Sequence, residues 1–430
     1  MILDQISKKD KVLILGFARE GQSTKNFLQQ RYPDLRIDTA DQKDGPDYLK
    51  NLPNYKIIIK TPGISPHKPE IEAAKKAGVI FTSHMQIFLD VCPSKNTIGV
   101  TGTKGKSTTT SLIYAVLKSN NLPCVLVGNI GQSALDFLSE ITPDTWVVME
   151  LSSYQLLDLS VSPHLAVLQA IFPDHLDYHT DFNEYQKAKA NIFKFQKPGD
   201  YLIYNSGNPN TQQLVTQFPN SHKLLPFDLS DFDPNIITKL LGDHNKLNII
   251  PSLIISRLLK LPKKLTYQAI EDFHPLDTRL ELVTTKNGIR FYADTLATIP
   301  EATIAAIDAL HPNVETLIAG GHERKQNYLE LAKKILDSKI KTLILFPATG
   351  PRIAAEIKHL TSNPSPEIRR GESKGVRFYH TDNMKEAVRF ALDHTASGKI
   401  CLLSPAAPSF TLFKDYKDEY NQYKQAIAST

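Results

Sequence analysis

A glycine-rich segment that ends in a lysine and a serine has the residue types of a phosphate site. Residues 97–100 form a β-branched run typical of a strand, Gly102 and Gly105 follow it, and Lys106 and Ser107 open a stretch with helical spacing of apolar residues. In such a unit, backbone N–H groups at the helix N-terminus face an anion, the lysine adds charge and the hydroxyl reaches magnesium. A valine rather than a glycine lies five residues before Gly105, so a plain glycine turn is the alternative.

A second glycine turn, at residues 16–21, follows a predicted buried strand at 11–16. It is one glycine short of the dinucleotide-binding pattern, so it predicts either contact with a nucleotide diphosphate or only a tight turn. Asp41 lies at the end of a possible second strand, where a carboxylate could meet a ribose or a uracil. A solvated loop acid is the alternative interpretation of Asp41.

Further polar residues follow other predicted strands. Glu150 ends the run 146–150, and Asp174 and His175 come after the run 165–172. In parallel α/β sheets, ligands bind beyond the carboxyl ends of the strands. The glycine-rich segment, Glu150 and His175 are therefore expected at one edge of a sheet. A surface acid and an ordinary loop histidine are the alternatives.

The alternation of strand-like and helix-like segments predicts an α/β protein of three domains. We expect a Rossmann-like domain at 1–93, a P-loop domain with a parallel sheet at 94–275 and a second Rossmann-like domain at 276–430. The boundaries are placed at a polar linker, 93–96, and at an irregular stretch, 273–277. Helices are expected over 24–31 and 182–195, and a mobile loop over 361–375.

Composition excludes several classes of protein. The 430 residues are 41% hydrophobic and 22% charged, with three widely spaced cysteines, as expected of a globular protein in a reducing cytoplasm. Neither a signal peptide nor a long uncharged apolar stretch is evident. The net charge of +5 includes no polybasic tract, so we expect small-molecule partners rather than nucleic acid or membrane.

Several ordered motifs together resemble one family, the Mur ligases, which build the peptide stem of the bacterial cell wall. Residues 101–109 resemble the ATP-binding motif of that family, with Lys104 where an asparagine is usual. Residues 150–155, Glu-Leu-Ser-Ser-Tyr-Gln, resemble the magnesium-binding segment of its glutamate-adding branch, and 128–131 its substrate loop. Matches at 174–177, 188–189, 242–248 and 403–410 extend the resemblance along essentially the whole chain.

The resemblance implies an ATP-dependent ligase that adds D-glutamate to UDP-N-acetylmuramoyl-L-alanine during peptidoglycan synthesis. In such a reaction a carboxylate attacks the γ-phosphate of ATP, and the amine of the incoming amino acid displaces phosphate from the acyl phosphate. Positioning and electrostatic stabilisation supply most of the rate, and two magnesium ions are the natural means. The expected protein is a cytoplasmic monomer. Addition of L-glutamate or another acidic amino acid, a folylpolyglutamate-synthase-like ligase and a non-catalytic P-loop regulator are the alternatives.

The resemblance also implies roles for individual residues. The catalytic residues would be Lys106, His175, Lys189 and Arg324. The ATP-binding residues would be Gly102, Thr103, Lys104, Gly105, Lys106, Ser107, Thr108, Asn245, Asn248, Arg279 and Asp294. The substrate-binding residues would be Gly16, Arg19, Asp41, Thr61, Asn129, His175, Thr298, Arg324, Ser409 and Tyr416. The magnesium ligands would be Ser107, Glu150, His175 and a carbamylated Lys189. From the residues alone, Lys189 is an ordinary helix lysine and Asn245 is equally a helix cap.

The expected glutamate pocket departs from the familiar family pattern. Leu296 stands where a lysine is usual, Arg324 replaces another lysine, and Tyr416 replaces a phenylalanine. Arginine offers a planar fork to a carboxylate where lysine offers a point charge. These changes leave the ATP chemistry intact and leave the choice between D- and L-glutamate open.

Overall fold

The computed structural model describes residues 2–7, 10–219, 222–362 and 375–430. The chain clusters into two compact units, Met1–Ile237 with Leu247–Glu271, and Thr238–Lys246 with Asp272–Thr430. The first unit contains two β-sheets and the second contains one. Most of the loop expected at 361–375 lies outside the described residues.

The first sheet has four parallel strands in the order β2-β1-β3-β4. The strands are β1 (Lys11–Leu15), β2 (Arg36–Ala40), β3 (Ile57–Lys60) and β4 (Ile80–Thr82), and the helices are α1 (Arg19–Arg31), α2 (Pro69–Lys76) and α3 (His84–Val91). Helix α1 begins five residues before the predicted start at Thr24. Its first turn buries Gly21 and Ser23 rather than large apolar side chains, so apolar periodicity could not reveal it.

The second sheet has six parallel strands in the order β10-β9-β8-β5-β7-β6. The strands are β5 (Thr97–Thr101), β6 (Cys124–Gly128), β7 (Trp146–Glu150), β8 (Leu165–Leu168), β9 (Tyr201–Asn205) and β10 (Lys223–Phe227). The helices are α4 (Lys106–Ser119), α5 (Ser153–Leu157), α6 (Phe182–Ala190), α7 (Pro209–Gln217), α8 (Asp243–Leu258) and α9 (Lys263–Asp272).

Two predicted elements of this sheet are shorter than expected. Strand β8 ends at Leu168, because the neighbouring strand β5 ends at Thr101 and offers no further ladder partner. The next residues instead hold the glycine turn, where the Ala170 carbonyl accepts a hydrogen bond from the Thr103 N–H at 2.9 Å. Helix α6 ends at Ala190 rather than at 195.

The third sheet, in the second unit, has the order β11-β12-β16-β13-β14-β15, with β11 antiparallel at its edge. The strands are β11 (Glu281–Lys286), β12 (Ile289–Ala293), β13 (Val314–Ala319), β14 (Thr342–Leu345), β15 (Arg377–His380) and β16 (Ile400–Leu403). The helices are α10 (Pro300–Leu310), α11 (Leu329–Asp337), α12 (Gly350–Ser362), α13 (Met384–His394) and α14 (Tyr416–Ser429).

The α/β architecture matches the sequence expectation, with one sheet in each predicted domain. The exact boundaries at 93/94 and 275/276 stay predictions, and the segment Thr238–Lys246 clusters with the second unit. Among the described helices, none combines the length and the apolar character needed to cross a membrane.

Candidate active site

The turn between β5 and α4 is shaped by two glycines with positive φ. Gly102 has a φ of +152° and Gly105, which precedes the first turn of α4, has a φ of +85°. A Cβ on Gly105 would lie 2.2 Å from the Oδ1 atom of Asn248, and one on Gly102 would lie 2.6 Å from the Cβ of Gln169. Both positions therefore require glycine, and the turn leads directly into the N-terminus of α4, a feature that favours anions.

Lys106 folds across this turn. Its Nζ donates hydrogen bonds to the carbonyls of Gly102, at 3.0 Å, and Thr103, at 2.9 Å. Ser107 is the second residue of α4, Thr108 is buried behind it, and Lys104 is half-buried within the turn. The lysine thus bonds to the turn at the N-terminus of α4, and Ser107 follows it in the same helix; the phosphate-binding roles of these residues stay predictions.

Lys189 is a buried lysine on α6 with 1% of its surface exposed. Its Nζ donates to the Gly102 carbonyl at 2.8 Å and lies 4.6 Å from the centre of the Tyr185 ring. Burial, together with the nearby Lys106 cation, lowers the pKa of Lys189 well below its ordinary value, although Asp174 and Glu150 oppose the shift. The glycine turn therefore has a second lysine beneath it, in an environment that favours the neutral amine.

Glu150 ends β7 and is 1% exposed. Its Oε1 accepts a hydrogen bond from the Asn129 side chain at 2.8 Å, while its buried Oε2 has no hydrogen-bond partner among the described residues. The Asn129 N–H also donates to the Glu150 carbonyl at 2.9 Å, which wraps the 128–131 turn around the end of the strand. A buried carboxylate oxygen without a donor is a position that a cation can satisfy.

His175 has a left-handed backbone, with a φ of +57°. Its Nδ1 lies 2.7 Å from the Tyr154 hydroxyl, and its Nε2 lies 3.8 Å from Oδ2 of Asp174. Such a backbone is uncommon for a residue other than glycine and is often found at functional sites. The ring is one-third exposed, so it lies at the surface of the site rather than in the core.

A cavity of about 330 Å³ lies at the carboxyl end of the first sheet and includes Gly16, Arg19, Asp41, Thr61 and Asn129 in its wall. Gly16 has a φ of +92°, and a Cβ there would lie 1.9 Å from the Thr61 hydroxyl oxygen. The turn can therefore approach Thr61 only as glycine. The Arg19 guanidinium donates to the carbonyls of Gly131, at 2.9 Å, and Gly128, at 3.2 Å.

Asp41 lies in the wall of this cavity, but its carboxylate also has a local structural role. Its Oδ2 accepts from the Phe17 N–H at 2.6 Å, and its Oδ1 accepts from the Lys43 N–H at 3.1 Å. These two backbone bonds, the first above all, lower the pKa of Asp41. The carboxylate thus joins the glycine turn to the end of β2, which is more than a solvated loop acid would do.

The remaining predicted residues of the pocket lie in the second unit. Asp294 directly follows β12. Its Oδ1 accepts a hydrogen bond, at 3.3 Å, from the N–H of Leu280, the residue next to Arg279 in the chain. Thr298 lies in the same loop as Asp294, and Arg324 lies in the segment after β13. Ser409 opens a 3₁₀ turn, and the Tyr416 carbonyl accepts from the Thr295 hydroxyl at 3.0 Å. These residues all lie beyond the carboxyl ends of β12, β13 and β16.

The two predicted asparagines of α8 fall in different units. Asn248 belongs to the first unit, against Gly105, whereas Asn245 belongs to the second. Helix α8 begins at Asp243, so Asn245 lies inside its first turn and is not the cap residue. Its Nδ2 donates back to the Leu241 carbonyl at 2.8 Å.

Two family models match the sequence. The Mur ligase middle domain matches residues 100–249, and the Mur ligase glutamate ligase domain matches residues 278–407. A UDP-N-acetylmuramoylalanine–D-glutamate ligase from Acetivibrio thermocellus is 34% identical over 406 residues, which cover 90% of this chain and 85% of that protein. A ligase of the same name from Clostridium botulinum is 32% identical over 402 residues, which cover 90% of this chain and 85% of that protein.

The chain belongs to the Mur ligase family.

Solved structures of Mur ligases share its fold. MurF from Acinetobacter baumannii aligns with a TM-score of 0.62 and 15% identity over 98% of this chain and 91% of that one. MurF from Thermotoga maritima in complex with ADP aligns with a TM-score of 0.60 and 16% identity, and the alignment covers 99% of this chain and 97% of that one. Likeness at this identity is one of fold, and it confirms the predicted three-domain α/β class.

The structure adds residues that the Mur ligase motifs did not single out. Gln169 donates from its side chain to the Thr109 hydroxyl at 2.8 Å and packs beneath Gly102. Tyr185 lies 2.9 Å from the Thr103 hydroxyl. Glu20, in the first turn of α1, is part of the wall of the first-sheet cavity, and its Oε2 is buried. One sequence signal could have found Glu20: it directly precedes Gly21 in the glycine turn 16–21. An acidic residue is unexpected in a turn that is predicted to contact a diphosphate.

The chain fits a magnesium site of the kind that is completed by phosphate oxygens. In the described ranges, no three His, Cys, Asp or Glu side chains converge as a ready-made metal cage. Magnesium is usually held by one or two carboxylates together with substrate phosphates. Oε2 of Glu150, shielded and without a donor in the described part of the chain, meets that requirement.

Proposed function

We propose that the protein is an ATP-dependent ligase that joins D-glutamate to UDP-N-acetylmuramoylalanine, the reaction for which its relatives are named. The observation that carries the proposal is that Lys106 and Lys189 both bond to carbonyls of one glycine turn, with Glu150, whose Oε2 has no partner among the described residues, close enough to Lys189 to act on its charge. One cation, one buried amine that favours its neutral form and one unsatisfied carboxylate oxygen suit a triphosphate with its counter-ion better than they suit a plain structural turn. The substrates are small molecules, and we expect a cytoplasmic monomer.

The turn between β5 and α4 would bind the phosphates of ATP. Its backbone N–H groups and the N-terminus of α4 face the anion, and Lys106 exchanges two carbonyl partners for phosphate oxygens. Ser107 and Glu150 would hold one magnesium ion, and His175 with Lys189 a second. Magnesium, when bound, offsets the negative charge that develops during phosphoryl transfer.

Lys189 is suited to carbamylation, because the reaction requires a neutral amine and its burial favours that form. The nitrogen lone pair attacks carbon dioxide and forms an N–C bond while one C=O π bond breaks and its electron pair becomes the charge of the carboxylate. The nitrogen then loses a proton to water. The product is a carboxylate in place of a cation. This change also removes the repulsion between Lys189 and Lys106.

The acceptor would lie between the first-sheet cavity and the end of β7. Gly16, Thr61 and Arg19 would position the nucleotide, and Asn129 and His175 would place the alanyl carboxylate. That carboxylate attacks the γ-phosphorus, ADP leaves, and the glutamate amine then attacks the acyl phosphate and releases phosphate. Arg279 and Asp294 would bind ATP. Arg324, Thr298, Ser409 and Tyr416 would bind glutamate.

A phosphate-release assay tests the proposal. Purified protein is given ATP, magnesium and UDP-N-acetylmuramoyl-L-alanine with D-glutamate, with L-glutamate, or with each of a panel of other amino acids. We expect release only when both the nucleotide and D-glutamate are present. Faster release with L-glutamate would assign the L-specific alternative, which Leu296 keeps open. Failure of every pairing would contradict the ligase and favour a non-catalytic nucleotide-binding protein.

A further inference from the structure

Glu20 is an acidic residue at a helix N-terminus, a position that favours anionic ligands. It lies in the first turn of α1, in the wall of the 330 Å³ cavity that also includes Gly16, Thr61 and Asn129. The N-terminus of a helix favours negative ligands through its open N–H groups and its dipole. An ionised carboxylate in the same wall would repel such a ligand.

The hydrogen bonds around Glu20 leave one of its oxygens without a partner. The Oε1 of Gln155 accepts from the Ser152 N–H at 3.0 Å, which can only donate, so the orientation of the Gln155 amide is fixed. Its Nε2 therefore donates to Oε1 of Glu20, at 2.7 Å. Oε2 of Glu20 is buried and has no partner within the described ranges. The carboxyl group is thus held through one oxygen, while the other is shielded from water and has no hydrogen-bond partner among the described residues.

The charges that face Glu20 come from several elements. Arg19 is held by the carbonyls of Gly128 and Gly131, and Lys60, at the end of β3, lies 2.8 Å from Asp158. Burial raises the pKa of Glu20, and the hydrogen bond from Gln155 and the charges of Arg19 and Lys60 offset this only in part.

Two further ionisable groups, Asp41 and Tyr154, share the cavity wall with Glu20. An anion in the cavity would add a like charge and favour the protonated acid further.

We propose that Glu20 is a specificity-determining residue that donates a hydrogen bond from its carboxylic acid to the diphosphate of the nucleotide substrate. This inference rests on the proposed function, which supplies the substrate. In the complex, the protonated Oε2 would donate to a phosphate oxygen, while Oε1 keeps its bond to Gln155. Binding of the nucleotide is thereby coupled to the uptake of a proton whenever free Glu20 is ionised.

Calorimetric titration with UDP-N-acetylmuramoyl-L-alanine, without ATP, tests the role of Glu20 independently of catalysis. Dissociation constants are measured between pH 6 and pH 9 for the wild type, Glu20→Gln and Glu20→Ala. We expect the wild-type affinity to fall by up to tenfold per pH unit above the pKa of free Glu20. Glu20→Gln keeps a donor at every pH, so its profile is flat. Glu20→Ala binds about tenfold more weakly than the wild type at pH 6.

Glu70→Gln is the matched control, because Glu70 is an exposed acid in the first turn of α2 of the same sheet, outside the cavity wall. It should keep the wild-type profile. Uridine, which has no diphosphate, should bind all four proteins without a pH difference between them. Melting temperatures check that each variant folds. The pH dependence of the wild-type dissociation constant tests the proton uptake even if a variant does not fold.

The outcomes separate the two proposals. Equal pH profiles for the wild type and Glu20→Gln would overturn the donor role while leaving the substrate in place. A wild-type affinity that is steady up to pH 9, with weak binding by Glu20→Gln, would show an ionised Glu20 that accepts a hydrogen bond, and would also overturn it. No binding by the wild type at any pH would overturn the proposed substrate and this inference with it.

Discussion

The two glycine turns of the first unit share a design but differ in charge. Each follows a buried parallel strand, each needs a positive-φ glycine, and each opens a helix, α4 in one case and α1 in the other. The turn before α4 has Lys106 above it and Lys189 beneath it. The turn before α1 has an acid, Glu20, while the charge of Arg19 is directed to carbonyls.

Burial acts in opposite directions on these two sets of side chains. It lowers the pKa of Lys189 and raises the pKa of Glu20, so both groups are pushed toward their neutral forms. A neutral amine can react with carbon dioxide, and a neutral acid can donate to an anion. Under the two proposals, the same desolvation would prepare one turn for a triphosphate with magnesium and the other for a diphosphate.

The largest expected effect follows from removing the amine beneath the first of these turns. Lys189→Met should reduce turnover by roughly 1,000-fold, because the carbamate that would hold the second magnesium ion can no longer form. Lys187→Met, which removes an exposed lysine from the same helix, is the control and should leave turnover unchanged. Phosphate release gives the rate, and a mass 44 Da above that of the chain would report the carbamate. Turnover within threefold of the wild type would remove Lys189 from the mechanism.

Glycine substitutions should separate the two turns by ligand. Gly105→Ala places a methyl group 2.2 Å from Asn248, and Gly16→Ala places one 1.9 Å from Thr61, each at a positive φ. We expect Gly105→Ala to weaken ATP binding at least tenfold and to spare the nucleotide sugar, and Gly16→Ala to do the reverse. Calorimetry with each ligand measures both.

The control for these substitutions is Gly199→Ala. Gly199 has a φ of +99° but no atom within 4 Å of its Cβ position. Its replacement should cost about 1 kcal/mol of unfolding free energy from backbone strain alone and leave both ligands bound normally. Equal losses of both ligands in Gly105→Ala and Gly16→Ala would mean that the turns do not act as separate binding sites.

The last prediction concerns the support of the turn before α1. Thr24 donates to the Glu20 carbonyl at 2.7 Å, and its hydroxyl lies 2.9 Å from Nδ1 of the buried His84. Burial lowers the pKa of His84 to about 3. Below pH 6.5, His84 therefore binds a proton in the unfolded chain but stays neutral in the folded chain. The free energy of unfolding consequently falls as the pH drops from 6.5 toward 3.

The acid limb of the stability profile measures this contribution. Each pH unit in that window should cost about 1.4 kcal/mol for His84. Fluorescence of Trp146, the single tryptophan in the sequence, reports unfolding of the first unit. His84→Gln should flatten the acid limb, whereas His359→Gln, at an exposed position on α12, should not. An unchanged slope in His84→Gln would place the proton uptake elsewhere.

Local patterns predicted much of the fold and of the phosphate site. The glycines at 102 and 105, the strand before them and the apolar spacing after Lys106 are all near one another in sequence, so the strand–turn–helix unit could be inferred directly. The early start of α1 could not, because its first turn buries small and polar residues. The short β8 could not either, because its end depends on where β5 stops.

The sequence alone determined the two turns, the residue types at their edges and the resemblance that drew attention to Lys189. Only the tertiary structure decided which of those groups lose water: Lys189 beneath Gly102, Glu20 against Gln155, and Oε2 of Glu150 beyond the reach of any donor in the described chain. Desolvation depends on segments that are distant in sequence and pack over a side chain, and it is desolvation that sets whether an amine or an acid keeps its charge.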